Sequence, residues 1–195
     1  LAYRFACANS CRKRVEKLYA AKKLTKTDVE HIYKGLFINS VVDFENFVEE
    51  LFIGLLLGKF VVRGVQPQID VRDAVVAKSM LARGTNKYID WLPFERTLER
   101  ANIFFKGSRP FNKVSKSDCR NIGFMIKIRN YFAHGSEVSK EAYIKHLSSV
   151  YAAYPASHIN PLSYLRDYYS YQTKTSYYEQ LFANIWGIAR SFTVP

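Results

Sequence analysis

Six consecutive residues of this chain contain a guanidinium, a carboxamide and an imidazole, contributed by Arg129, Asn130 and His134. An arginine guanidinium offers a planar fork of donors that matches a phosphate, and an imidazole accepts and donates protons near neutral pH. A carboxamide can orient either group through hydrogen bonds. Together these groups suit the attack of an RNA 2′-hydroxyl on the adjacent phosphodiester. That reaction leaves a 2′,3′-cyclic phosphate and requires no bound water or metal ion.

A predicted helix positions these three side chains. The residues before Arg129 are apolar at helical spacing, and Gly135 lacks the Cβ that opposes the left-handed conformation at a helix end. Asn130 and His134 are four residues apart and share a face, whereas Arg129 lies about 140° around the helix from His134. We therefore expect only the long Arg129 side chain to reach the same phosphate.

The sequence around these residues resembles the signature of the HEPN superfamily, which is Arg, a polar residue, further residues and then His. Segment 128–135 matches the form with four residues between the arginine and the histidine. Segment 36–51 looks like the superfamily helix that carries an inward acidic residue, here Glu45. Segment 91–112 is similar to the region before the signature helix in the prokaryotic RiboL-PSP type. The resemblance covers roughly residues 30 to 150.

This resemblance implies an all-α, HEPN-type helical bundle with four or five core helices and additional terminal helices. It implies a metal-independent endoribonuclease in a toxin–antitoxin or phage-defence role, with an antitoxin protein as a possible partner. His134 would serve as base or acid, and Arg129 would bind the phosphorane oxygens. Asn130 would orient His134 or contact the phosphate, while Glu45 would hold Arg129 in position. One chain supplies a single signature histidine, so, as in HEPN proteins, we expect a homodimer through the signature helices.

We expect that dimer to bury apolar residues on an exposed flank of the signature helix, the predicted helix that ends at His134. Tyr131 and Phe132 are the residues that we assign to this flank. Two copies of the cluster would then line one cleft.

The net charge of +12 is unevenly distributed over the 195 residues. Residues 1–27 carry eight Lys or Arg against one acid, and residues 106–129 carry seven against one acid. The second basic segment leads directly to Arg129, so a polyanion that followed this charge would reach the site. RNA is therefore the predicted partner, and the predicted RNA-binding residues are Lys106, Arg109, Lys113, Lys116, Arg120 and Lys127.

Composition argues against several other classes of protein. No run of about 18 apolar residues is present, so we expect no membrane-spanning segment. Cys7, Cys11 and Cys119 form an odd set without the paired spacing of a zinc site, and we expect no cofactor, metal site or disulfide framework. With no export signal at the start of the sequence, the expected location is the cytoplasm.

The organisation expected from sequence is a single domain over residues 1–195, with a core at about 28–150 and a C-terminal helical extension at about 160–195. Apolar contacts of the first helix are assigned to Phe5, Val15, Leu18 and Tyr19, and the second helix is assigned a capping box at Thr27–Glu30. A break between helices is predicted at 83–86, and a short extended segment at 59–65. The predicted helices span about residues 1–22, 27–57, 71–81, 93–105 and 176–191. The signature helix is expected to be capped by Ser115 or Ser117, and the helix after it to start at Ser136 or Ser139 and run to Val150.

Two other functional hypotheses fit the same residues. A non-catalytic HEPN module would bind RNA or a protein partner through the basic surface, and a structural helical interaction domain would bind no RNA. His134 would then be a helix-end imidazolium favoured by the helix dipole. Arg129 would form a salt bridge with Glu45 inside the bundle.

Overall fold

The computed structural model describes residues 1–82 and 89–193, and its secondary structure is predominantly α-helical. Among those residues, the only sheet is one antiparallel two-stranded hairpin. The all-α prediction is therefore confirmed, whereas the break predicted at 83–86 lies outside the described residues. The elements are α1 (Ala2–Ala20), α2 (Lys26–Leu56), α3 (Ala74–Leu81), α4 (Phe94–Phe104), α5 (Lys116–His134), α6 (Glu137–Val150), α7 (Pro161–Arg166), β1 (Tyr168–Ser170), β2 (Thr175–Ser176) and α8 (Tyr177–Ser191).

The chain divides into two compact units. The first comprises Leu1–Asp43 and Phe124–Asn184, and the second comprises the described residues of Phe44–Gly123 and Ile185–Pro195. Helices α2, α5 and α8 each contribute residues to both units. The predicted single domain, with its core at about 28–150 and its extension at about 160–195, stays a prediction. In the division into units, α7 and the β-hairpin belong to the same unit as α1.

Aromatic rings form the core of the first unit around Phe37. Its ring packs edge to face against Phe132 of α5 at 5.8 Å, and against Tyr178 and Phe182 of α8 at 6.2 and 5.4 Å. Side chains four apart on a helix share a face, so the inward stripe of α2 can be read from its sequence. In the first unit the fully buried members of this stripe are Val29, Tyr33, Phe37 and Val41.

Ion pairs attach α1 to other helices of the first unit. Arg12 is buried and contacts Glu179 of α8 at 2.9 Å. Arg166 at the end of α7 donates to both carboxylate oxygens of Glu16 at 2.8 Å each, and the Tyr33 hydroxyl donates to the same carboxylate at 2.6 Å. Such charge-assisted, bidentate bonds are stronger than neutral ones.

The apolar face predicted for α1 is only partly correct. Phe5 and Val15 are buried and Tyr19 is partly buried, but Leu18 is 41% exposed. Ion pairs thus supply much of what an apolar stripe would otherwise contribute.

The core of the second unit is built around Phe52. Its ring stacks on Phe111 at 5.1 Å and contacts Trp91 and Phe105 at 5.0 and 4.9 Å. The indole N–H of Trp91 donates to Glu49 at 2.9 Å, which satisfies the one polar atom that this buried ring carries.

Capping boxes form at the starts of two helices, and one of them lies two residues from its predicted position. The box that starts α2 is formed by Thr25 and Asp28, whose side chains reciprocally accept the backbone N–H of the other residue. The prediction of Thr27–Glu30 was therefore wrong. Ser115 and Asp118 form the corresponding box at the start of α5, as one of the two predicted alternatives has it.

Segment 59–65 was predicted to be extended but forms no strand. Its central feature is a turn at 62–65, in which the backbone N–H of Val65 donates to the Val62 carbonyl at 3.1 Å. After this segment, Pro67 forms an isolated antiparallel bridge with Phe105.

The Glu179 carboxylate provides a pH-dependent test of this packing. Burial acts to raise its pKa, but the Ser176 backbone N–H, Lys13 and Arg12 outweigh that effect and lower the pKa to about 2. A folded pKa below the unfolded value stabilises the protein above about pH 4.3, and this stabilisation is lost as pH falls toward 2. We expect Glu179→Gln to reduce the free energy of unfolding by about 1–2 kcal/mol at pH 7.

Urea denaturation of wild type and variant at several pH values measures this effect. The difference between the two proteins should shrink between about pH 5 and pH 2. The exposed Glu141 is a matched control, and Glu141→Gln should leave the unfolding free energy nearly unchanged. A Glu179→Gln effect that stays constant over this pH range would contradict the assigned ion pair.

Candidate active site

Helix α5 is held in the first unit by one buried side and two aromatic contacts. Met125 and Ile128 are fully buried. One turn later, Tyr131 packs against Tyr143 of α6 at 5.6 Å, and Phe132 packs against Phe37 of α2 at 5.8 Å. These contacts fix the rotation of the helix about its axis and therefore the direction in which its other side chains point.

The helix ends as its sequence predicts. Gly135 has a φ of +59°, and its backbone N–H donates to the Tyr131 carbonyl at 3.0 Å. This is the left-handed cap that favours glycine, because a Cβ opposes that conformation. Helix α6 begins immediately afterwards, with Ser136 as N-cap accepting the Ser139 backbone N–H. His134 therefore lies between the last turn of one helix and the first turn of the next.

The structure places Arg129, Asn130 and His134 together on the final turns of α5. Arg129 and Asn130 are partly buried and His134 is exposed. His134 follows Arg129 by five positions, a rise of about 7.5 Å along the helix axis. Within the described part of the first unit, none of the three side chains makes a hydrogen bond or an ion pair. Their donors and acceptors are consequently available to a bound molecule.

The outward face of α5 differs from the one predicted. Tyr131 and Phe132 were assigned to an exposed flank, but both are partly buried against rings of their own chain. The outward face lies opposite Ile128, about 160° away at the position of Asn130. It carries Ile126, Asn130, Ala133 and His134, of which Ala133 and His134 are exposed.

Glu45, the predicted acidic partner of Arg129, lies on α2 and is partly buried. It belongs to the second unit, whereas Arg129 belongs to the first. Its predicted role in positioning Arg129 stays a prediction.

The predicted RNA-binding residues are mostly accessible. The five in the second unit are exposed, and Lys127 of the first unit is partly buried. The five exposed residues are Lys106, Arg109, Lys113, Lys116 and Arg120.

The imidazole of His146 is held by packing. Burial, with a smaller contribution from the charge of Lys127, lowers the pKa of His146 to about 4. The His146 ring stacks on Phe124 at 4.4 Å.

Two further properties of the described residues bear on the site. No three His, Cys, Asp or Glu side chains among them are grouped as metal ligands would be. Across residues 1–82 and 89–193, every helix is either too short or too polar to cross a membrane.

No protein family, curated protein or solved structure matches the chain.

The left-handed cap at Gly135 leads to a stability prediction. A Cβ at this position would meet no atom within 4 Å, so only the backbone conformation opposes a side chain. We expect Gly135→Ala to lower the free energy of unfolding by about 1–2 kcal/mol, and Gly135→Asn to lower it less because asparagine tolerates this conformation. Thermal and urea denaturation measure both changes.

Gly35 is the matched control, since it lies exposed within α2 and a Cβ there would also meet open space. Gly35→Ala should raise the unfolding free energy by about 0.5–1 kcal/mol, because alanine favours the helix. Stabilisation of the protein by Gly135→Ala would show that α5 does not end in this conformation.

Proposed function

We propose that the protein is a metal-independent endoribonuclease of the HEPN type, acting in the cytoplasm as a homodimer. The observation that best supports this proposal is at the end of α5, where a guanidinium, a carboxamide and an imidazole follow one another on the last turns. In the described part of the first unit, none of these three side chains has a polar partner within the protein. Structural arginines of this unit differ, because Arg12 and Arg166 are occupied by carboxylates. The proposed toxin–antitoxin or phage-defence role, and an antitoxin partner, depend on the sequence resemblance alone.

The proposed reaction uses the 2′-hydroxyl of RNA as nucleophile. A neutral His134 imidazole accepts the 2′-hydroxyl proton while the 2′-oxygen bonds to phosphorus. The bond from phosphorus to the 5′-oxygen then breaks, and that oxygen takes a proton from an acid. The products are a 2′,3′-cyclic phosphate and a 5′-hydroxyl. Arg129 donates to the phosphorane oxygens as their negative charge grows, and Asn130 orients the imidazole or the phosphate.

The start of α6 supports this assignment. Its first residue, Glu137, follows His134 by three positions, so unpaired backbone N–H groups of a helix N-terminus are near along the chain. Such groups attract phosphate. The Glu137 carboxylate is already paired with Lys140 at 2.6 Å, which reduces its repulsion of an anion.

A dimer supplies the second proton-transferring group that the reaction needs. One chain contributes one His134, whereas cleavage requires a base and an acid. In the proposed dimer the outward faces of α5 meet, so that Ile126 and Ala133 pack against their counterparts and two copies of His134 line one cleft. This face replaces Tyr131 and Phe132 as the proposed interface.

The second candidate function is a non-catalytic module that binds RNA or a protein partner. The exposed cations of the second unit favour it, because they supply nucleic-acid affinity without any reacting group. Those cations are the predicted RNA-binding residues between Lys106 and Arg120. The two functions predict different effects of removing the imidazole.

His134→Ala should slow cleavage strongly while leaving RNA binding intact. Loss of proton transfer is expected to slow cleavage by about 10²–10⁴-fold. The wild type should cleave RNA in excess EDTA and leave 2′,3′-cyclic phosphate and 5′-hydroxyl ends. The measurements are cleavage rates, end-group mapping and RNA affinity by fluorescence anisotropy. His31 is the matched control, because it is also exposed and also lies on a helix of the first unit.

His31→Ala should cleave at the wild-type rate. Products with 5′-phosphate ends, or activity that disappears in EDTA, would refute the proposed mechanism. RNA binding without cleavage by the wild type, unchanged in His134→Ala, would favour the non-catalytic module.

The dimer is tested by mixing two inactive variants. Arg129→Ala and His134→Ala proteins should each be nearly inactive, and the mixture should recover part of the wild-type rate. A mixed dimer supplies one Arg129 and one His134 from different protomers, and water replaces the missing second His134 in the other proton transfer, so recovery is only partial. Cleavage assays before and after mixing measure the recovery. The control is His134→Ala protein alone at the same total concentration, which should stay inactive.

Ile126→Arg should shift the dimer to monomer in sedimentation and reduce cleavage in parallel, since it places a charge on the outward face of α5. Val150→Arg, a similar change at an exposed residue of α6, should do neither. Full activity of a monomer, shown by sedimentation at the assay concentration, would contradict the composite cleft.

A further inference from the structure

The second unit contains a basic cavity of about 380 Å³. This volume lies within the range of about 300–1,000 Å³ that small-molecule sites occupy. The cavity is formed within the second unit, whereas Arg129, Asn130 and His134 all lie in the first. Its lining combines three cationic side chains, Arg63, Arg109 and Lys113, with apolar walls from Val62, Val65 and Pro110.

One wall is a backbone turn that its hydrogen bonds hold in place. The turn runs from Val62 to Val65, with Gly64 in its third position at a φ of +79°. That value is typical of a type II turn, which favours glycine there. The next residues pair with the end of α4: the Lys106 N–H donates to the Gln66 carbonyl at 2.9 Å, and the Gln68 N–H donates to the Phe104 carbonyl at 2.8 Å.

The opposite wall rests on the core of the second unit. A 3₁₀ turn at Phe111–Lys113 buries Phe111, whose ring stacks on Phe52 at 5.1 Å. The Lys113 ammonium donates to the Ser191 carbonyl at 3.2 Å, and the Asn112 side chain donates to the Gly107 carbonyl at 2.8 Å. Both walls are thus preformed, which reduces the entropy lost when a ligand binds.

Gly64 allows the Arg109 guanidinium to lie directly against the turn. A Cβ on residue 64 would come within 3.0 Å of Arg109 Nη1. The positive φ favours glycine at this position, and the absence of a Cβ leaves room for the Arg109 guanidinium. The turn limits the directions that the Arg109 fork can take, and it places Arg63 next to it in the same cavity.

We propose that this cavity binds the phosphate group of an organic phosphate of nucleotide size. The described lining residues include two arginines and one lysine and no acidic residue, so an anion is the complementary ligand. Two guanidinium forks match the tetrahedral oxygens of a phosphate better than they match a halide or a single carboxylate. The three apolar side chains then contact the less polar body of the ligand, such as a nucleobase.

The same phosphate chemistry can come from a free mononucleotide or from the phosphorylated end of an RNA strand. The proposal depends on the cavity alone, and it holds whether or not the protein cleaves RNA. Sequence alone did not indicate Arg63, because it lies 46 positions from Arg109 and in no charge run.

Isothermal titration with 5′-AMP, adenosine and a 5′-phosphorylated RNA hexamer tests the proposal on the full chain, with the 5′-hydroxyl hexamer as reference. We expect a phosphorylated ligand to bind at least tenfold more tightly than its unphosphorylated counterpart. Arg63→Gln and Arg109→Gln should each weaken that binding roughly 10- to 100-fold, because each removes a charge-assisted pair. Arg72→Gln is the control, since Arg72 is an exposed cation of the same unit that pairs with Asp70.

The variants themselves should fold normally, because Arg63 and Arg109 are exposed, and thermal melting verifies this. Preference for AMP over adenosine identifies a free nucleotide as the ligand, and preference for the phosphorylated hexamer alone identifies an RNA end. Either result supports the phosphate site if it is sensitive to Arg63 and Arg109. Equal binding of each phosphorylated and unphosphorylated pair, or binding that Arg63→Gln and Arg109→Gln leave unchanged, overturns it. His134→Ala should bind these ligands as the wild type does, so a failure of the nuclease proposal does not affect this result.

Discussion

The packing of Phe37 is the constraint on which the candidate active site depends. This one ring contacts Phe132 of α5 together with Tyr178 and Phe182 of α8. Phe132 is two residues from His134, so the same contact that fills the core also sets the rotation of the last turn of α5. Truncation of a buried phenylalanine costs about 3–5 kcal/mol, and here it would also release the helix end that carries the three candidate residues. Stability and site geometry are therefore coupled through one side chain.

The positive charge of the chain has two different roles in the structure. In α1, Arg4 pairs with Asp43 and Arg12 with Glu179, so part of the N-terminal charge is used to hold helices together. Between 106 and 120 the cations are exposed, and those that line the basic cavity converge on one space. A count of charges along the sequence does not separate these roles, because ion pairing depends on residues far apart in the chain. Arg12 and Glu179, for example, are separated by more than 160 positions.

Local signals in the sequence predicted the helices and several of their ends. Ser115 caps the start of α5 and Gly135 ends it, as expected. Both signals are local, since a capping side chain and a glycine with positive φ act within one turn of the chain. The start of α2 was misplaced because two overlapping boxes, Thr25–Asp28 and Thr27–Glu30, satisfy the same pattern. Only the structure shows that the first one forms.

Features that depend on distant partners were less predictable. Helical periodicity gives the angle between Asn130 and His134, but it does not say which side of α5 faces the core. Tyr131 and Phe132 were therefore assigned to the wrong side, because their ring partners lie on α6 and α2. The extended segment predicted at 59–65 likewise became a turn whose position is fixed by backbone pairing of the residues after it with the end of α4.

The four histidines show why the end of α5, rather than another imidazole, is the candidate site. His158 is buried, and its Nε2 lies 2.9 Å from Asp167 while Tyr143 donates to its carbonyl. His146 is stacked on Phe124. Both rings are thus occupied by packing, and only His31 and His134 are exposed. Of these two, His134 alone has a guanidinium and a carboxamide within five residues on the same helix, so it is the exposed imidazole that could act together with phosphate-binding groups.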